Sequence, residues 1–190
     1  DLVAIAQTNQ WFAIMPELLL GGLALALLLL EIVLPKKEHA AIPLSSIAGQ
    51  LGVLTGLIVN TRLVIPGMTS FGGMLQHSYA GQFMRIFFVL TSLLVSILGW
   101  FAFKKQKLPQ VEFFHIVLVV TAAMMLLAQS NHFVLFFVAL ETITIGFYIL
   151  VSYFRNNALS LEAGLKYLIT GALSSAILLF GIVLLYGVSG

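Results

Sequence analysis

The chain has 190 residues, of which 61% are hydrophobic and 8% charged, with nine Lys and Arg against seven Asp and Glu, a formal charge of +2 and a mean hydropathy of +1.09. That composition cannot clothe a soluble domain in polar surface and indicates a polytopic membrane protein. The small, scattered charge argues against nucleic-acid binding, and the lack of cysteine excludes disulfides, thiolate metal sites, Cys-ligated iron–sulfur clusters and cysteine nucleophiles.

Six apolar segments reach the length of about 20 residues that a bilayer core requires. They are 11–34, 43–65, 83–103, 111–130, 132–153 and 160–188. The first is followed by Pro35, Lys36 and Lys37 rather than by a small-residue cleavage site, so it reads as a retained helix and not a signal peptide. The connectors PKKEHAAI, closed by Pro43, KKQKLPQ and RNNALS carry the Pro and polar residues that let the backbone leave a helix in water. The stretch PGMTSFGGMLQHSYAGQ, from Pro66, is rich in Gly and small polar residues. It lacks a Lys-Ser/Thr phosphate cradle and reads as a flexible external connection, not a nucleotide site. With no soluble domain, low-complexity tract or short repeat, the expected fold is all-α: one transmembrane helix bundle.

Lys36, Lys37, Lys104, Lys105, Lys107 and Arg155 fall on one side of the bundle, against Arg62 and Arg85 at helix ends on the other. The positive-inside rule therefore puts the N-terminus outside and the lysine-rich connectors in the cytoplasm or its equivalent.

The most informative residue is Glu141, set within the apolar run of the fifth helix roughly 15 Å from either end. An acid at that depth costs on the order of 2.5 to 3.5 kcal/mol, so it normally faces a partner or a hydrated path. Thr144, Tyr148, Ser152 and Arg155 follow it in steps of three and four, a polar stripe toward the cytoplasmic end. Hydroxyls both donate and accept, so such a stripe can hold water and pass protons. The alternative is a protonated Glu141 that only glues helices together.

Lys166 lies about 9 Å into the sixth helix, counted from an N-cap at Ser160. It can snorkel to the interface or pair with Glu162 one turn back, or it can serve transport, with Thr170 and Ser174 continuing a path below it. Its shallower depth argues against a direct salt bridge to Glu141. Gly164, Gly171 and Ser175 suit close helix contact. Glu17, after Pro16, reads as a first-turn acid and Glu31 as an interfacial one. His39, His77, His115 and His132 show no metal-ligand spacing, and Met124 and Met125 read as packing, so no metal site is expected.

From the fourth helix onward, the run TAAMMLLAQSNHFVLFFVALETITIGFYILVSYFRNNALSLEAGLKYLITGALSSAILLFGIVLLYGVSG resembles the subunit N family of proton-pumping NADH:quinone oxidoreductase, respiratory complex I, which is related to cation/proton antiporters. MPELLL followed by LLLLEIVLP fits the opening of that family, and the resemblance is weakest between Val64 and Gln82. It implies that Glu141 is the fifth-helix glutamate of a proton path and that Lys166 is the lysine of the EAGLKY segment. It implies a non-redox subunit of a translocase with no catalytic centre or cofactor of its own; NADH, flavin, iron–sulfur clusters and quinone belong elsewhere in the complex. The implied partners are other membrane-arm subunits and the lipid bilayer, with protons and water the only small species handled. The implied location is the bacterial inner membrane or an equivalent organelle membrane. Family members have about fourteen helices, including a broken seventh helix with a central lysine, so this chain is expected to be part of a longer one. Two other readings remain open: a membrane subunit of a multi-subunit sodium/proton antiporter or membrane-bound hydrogenase, and a structural or assembly component.

Overall fold

The computed structural model describes residues 9–33, 41–61, 65–106 and 111–189. A 3-10 turn, Trp11–Ile14, leads into α1 (Met15–Val33). Then follow α2 (Ala41–Asn60), a hairpin of β1 (Thr69–Ser70) and β2 (Leu75–Gln76), α3 (Tyr79–Gln106), α4 (Val111–Gln129), α5 (Phe133–Val151) and α6 (Ala158–Ser189). All six helices are long and apolar enough to cross a membrane. The chain is an all-α, multi-pass membrane protein. Of the residues used above, Pro35, Lys36, Lys37, His39, Arg62 and Lys107 lie outside the described residues, as does the side chain of Lys105.

Local hydrogen bonds set three boundaries that hydropathy misplaces. α3 begins at Tyr79 rather than 83, because the Ser78 hydroxyl accepts the Gly81 N–H at 2.9 Å. Arg85 is therefore well inside the helix. α6 begins at Ala158 rather than 160, because the Asn157 side chain accepts the Leu159 N–H at 3.0 Å, and the Ser160 hydroxyl donates instead to Val151 O. α5 is capped by His132, whose Nδ1 accepts the Val134 N–H, and it ends at Val151, which leaves Ser152 as its C-cap and Arg155 in the next turn. The connection from Pro66 contains a short antiparallel hairpin, Thr69 pairing with Gln76 and Ser70 with Leu75. Phe71 and Gly73 take positive φ at its tip, and Asn131 holds it by donating to Met74 O and Gly73 O.

α1 to α4 form a ring in which each helix meets its chain neighbours and α1 closes on α4. Its core repeats at heptad-like spacing: Leu20, Ala24 and Leu27 on α1 face Val111, Leu118 and Met125 on α4, with Val53 and Leu57 of α2 and Val89 of α3 filling the centre. α5 packs on the outside of α4 through Ile143, Val120 and Ala123, and α6 packs in turn on α5. Most of α6 is exposed apolar surface; Gly164 and Ile182 are its buried residues.

Candidate functional site

Glu141 sits midway along α5. Its Oε1 is buried with no hydrogen-bond partner among the described residues, while Oε2 lies 3.4 Å from the Thr144 hydroxyl. That hydroxyl makes its better bond, 3.0 Å, to the Glu141 carbonyl. Two turns on, the Tyr148 hydroxyl is likewise buried and unpartnered. The Tyr148 ring meets the edge of Tyr167, with centroids 5.1 Å apart, and its hydroxyl lies over Gly171, where a Cβ would collide with it. Gly164 makes the same close approach to Ser152. Small residues thus let α6 sit flush on the polar face of α5. Gly171→Ala is expected to force Tyr148 or α6 aside at a cost of about 1–3 kcal/mol, read as a lower melting temperature of the purified protein.

Ser152 donates to Tyr148 O on α5, while on the exposed face of α6 Thr170 donates to Lys166 O and Ser174 to Thr170 O, each at 2.9 Å. Each oxygen keeps acceptor capacity, so the stripe is polar without being one continuous hydrogen-bonded chain. Arg155 leaves it to pair with Glu112 at 3.1 Å. Lys166 pairs with Glu162 on the exposed face of α6. Aligning the antiparallel pair at Gly164 and Ser152 puts Lys166 about 13 Å along the axis from Glu141 and places Ser175 near Glu141's level. No direct salt bridge joins Glu141 to Lys166.

The structure reveals a second polar centre that sequence reasoning missed. Glu17 does lie in the first turn of α1, but it is 4% exposed and locked to Arg85, which is 5% exposed, a pairing that the first-turn reading does not anticipate. Arg85 Nη2 donates to Glu17 Oε2 at 2.8 Å and to Ala13 O at 3.1 Å, Nη1 donates to Gln82 Oε1 at 2.9 Å, and Nε lies 2.8 Å from Glu17 Oε1 without aiming its N–H there. Gln129 Nε2 donates to Glu17 Oε1 at 2.8 Å, so α1, α3 and α4 meet at one carboxylate. Farther along α3, Ser92 accepts from Thr121 at 2.8 Å and Ser96 from Gln50 at 2.9 Å. The available signal was periodicity: Gln82, Arg85, Ser92 and Ser96 share one face of α3, interrupted only by Val89.

Next to this cluster, outside the spans, His77 is buried and bonded to the Ser70 hydroxyl at 3.0 Å. Burial, followed by the charge of Arg85, lowers its pKa below the usual 6.5. The unfolded chain therefore binds the proton more readily than the folded one. This contribution to stability is complete above about pH 6.5 and declines as pH falls toward the folded-state value. Melting temperature is expected to fall between pH 7 and 5.5, less so in His77→Gln. Among the described residues no group of three His, Cys, Asp or Glu is placed to hold a metal ion.

Residues 130–190, which carry Glu141 and Lys166, match the family model described as NADH:quinone oxidoreductase/Mrp antiporter, TM. NADH-quinone oxidoreductase subunit N 1 of Opitutus terrae is 61% identical over 97% of this chain and 37% of that protein. NADH-quinone oxidoreductase subunit N of Moorella thermoacetica is 33% identical over 92% of this chain and 36% of its own length. A chain of Thermus thermophilus respiratory complex I with bound aureothin superposes with a TM-score of 0.73 at 27% identity, covering 90% of this chain and 36% of that one. The chain thus spans a little over a third of the relatives it matches. Sequence likeness along nearly its whole length, together with the shared helical fold, places the chain in the subunit N family of NADH-quinone oxidoreductases.

Proposed function

We propose that the chain is a proton-translocating part of the membrane arm of an NADH:quinone oxidoreductase, in a bacterial inner membrane, with other membrane-arm subunits as partners. It holds no redox centre; NADH, flavin, iron–sulfur clusters and quinone act elsewhere in the assembly. The observation that carries this reading is the Glu141 carboxyl, deep in α5 with Oε1 unpartnered and Thr144 and Tyr148 on the same helical face. A neutral acid is tolerated at that depth, whereas the carboxylate needs water or a counter-charge. Any rearrangement that brings either of these to Glu141 and withdraws it again loads and unloads one proton. Electron transfer at a distance supplies the free energy for that rearrangement, and the chain supplies the acid and the polar face that leads from it. Lys166, held by Glu162, is the shallower charged station of the same path.

In inverted vesicles bearing the intact protein in its native assembly, NADH is expected to drive acidification of the lumen. Proton movement that follows an imposed sodium gradient and ignores NADH would assign the antiporter reading instead. Lys166→Ala sorts the role of the lysine. As an exposed i,i+4 pair it is expected to cost less than about 0.5 kcal/mol of stability. A drop in protons moved per NADH on that stable background is the expected result; an unchanged ratio would leave Lys166 as a snorkelling residue.

A further inference from the structure

At the hairpin end of the bundle a cavity of about 460 Å³ lies between α1 and α2. On α2 its wall is formed by Gly52, Gly56 and Asn60, spaced four residues apart and so aligned over about 12 Å of one helix face. Neither glycine has an atom within 4 Å of the position a Cβ would take, so this is a groove and not a helix contact. Across it, Met15 and Leu19 of α1 keep their apolar side chains exposed. One end is polar. Arg85, Gln82 and His77, all more than nine-tenths buried, line it, with Gln10 and Asn60 nearby.

Among the described residues no acidic side chain lines the cavity: Glu17, which pairs with Arg85, is not part of its wall. Arg85 Nε is buried 2.8 Å from Glu17 Oε1, so the donors left over at this end are the second Nη1–H of Arg85 and the side-chain amides of Gln10 and Asn60. Bulk lipid tails are as apolar as the groove, so its apolar walls alone would select nothing. A donor-rich end without an acid selects an amphiphile whose head is rich in acceptor oxygens. From this geometry we infer that the cavity binds one membrane phospholipid, its phosphate and ester oxygens at the Arg85–His77 end and one acyl chain along the Gly52–Asn60 line. None of the residues that line the cavity belongs to α5 or α6, so the site shares no side chain with the Glu141 face.

The test uses the intact assembly purified in mild detergent and placed in nanodiscs of phosphatidylethanolamine and phosphatidylglycerol, with retained lipid counted by native mass spectrometry. At Gly52 and Gly56 an added Cβ meets nothing within 4 Å, so Gly52→Leu and Gly56→Leu grow into the groove rather than into a packed helix contact. The parent protein is expected to retain one phospholipid that both variants lose. Equal retention in parent and variants overturns the site. A second measurement needs no variant: diacylglycerol, which has the tails without the phosphate, is expected to compete for the site at least about tenfold less well than either phospholipid. Equal competition would overturn the phosphate assignment, as would displacement of the lipid by inorganic phosphate alone.

Discussion

Glu141→Gln is expected to leave the protein folded and assembled while lowering protons translocated per NADH by about tenfold or more. The carboxamide is nearly the size of the acid and can still accept from Thr144, so the α5 surface changes little. It has no titratable proton. A group that serves only as packing glue would tolerate the exchange, because the amide both donates and accepts. The two roles therefore separate in one experiment: dye-monitored acidification of inverted vesicles, with NADH oxidation recorded in the same cuvette. A normal proton yield per NADH in a normally assembled Glu141→Gln protein would remove Glu141 from the path. Glu141→Asp tests reach, since it keeps the proton but draws it back by one methylene.

Much of the architecture is legible in local composition, because a helix that crosses a bilayer must satisfy its own backbone and carry an apolar side-chain run. The depth of Glu141 needs no more than counting residues along such a run. Helix ends are less legible: a hydropathy window cannot see Ser78 capturing Gly81 or Asn157 capturing Leu159, and either error moves a neighbouring charge in or out of the membrane. That is why Arg85 reads as an interfacial cation from sequence. The larger gap is long-range. Glu17 and Arg85 are 68 residues apart and Glu17 and Gln129 are 112 apart, so nothing near either end announces the pairing. From sequence both charges sit at helix ends, where neither calls for a partner; only the fold turns them into one buried pair. The hairpin over 69–76 is similarly hidden, since its hold on Asn131 is a tertiary contact.

Glu17 and Arg85 carry the second large expectation, and its sign pattern is specific. Removing one member of a buried pair strands the other, at a cost of about 3–5 kcal/mol. The two single changes should not cost the same. In Arg85→Met the stranded Glu17 can take up a proton and keep its bond from Gln129, whereas in Glu17→Leu the stranded guanidinium stays charged, with only Ala13 O and Gln82 left to accept from it. Glu17→Leu should therefore melt lower than Arg85→Met and give less protein in the membrane. The double variant Glu17→Leu/Arg85→Met replaces the pair with apolar bulk. It should recover most of the loss, with a coupling on the order of 2 kcal/mol or more between the two positions. Strictly additive losses would mean that each side chain is held by its other contacts and that the pair does not fasten α1 to α3. Proton yield per NADH in the double variant then asks a separate question. If it is normal, the pair is a clamp that holds the four-helix ring on which α5 is mounted, and Glu141 carries the proton without it.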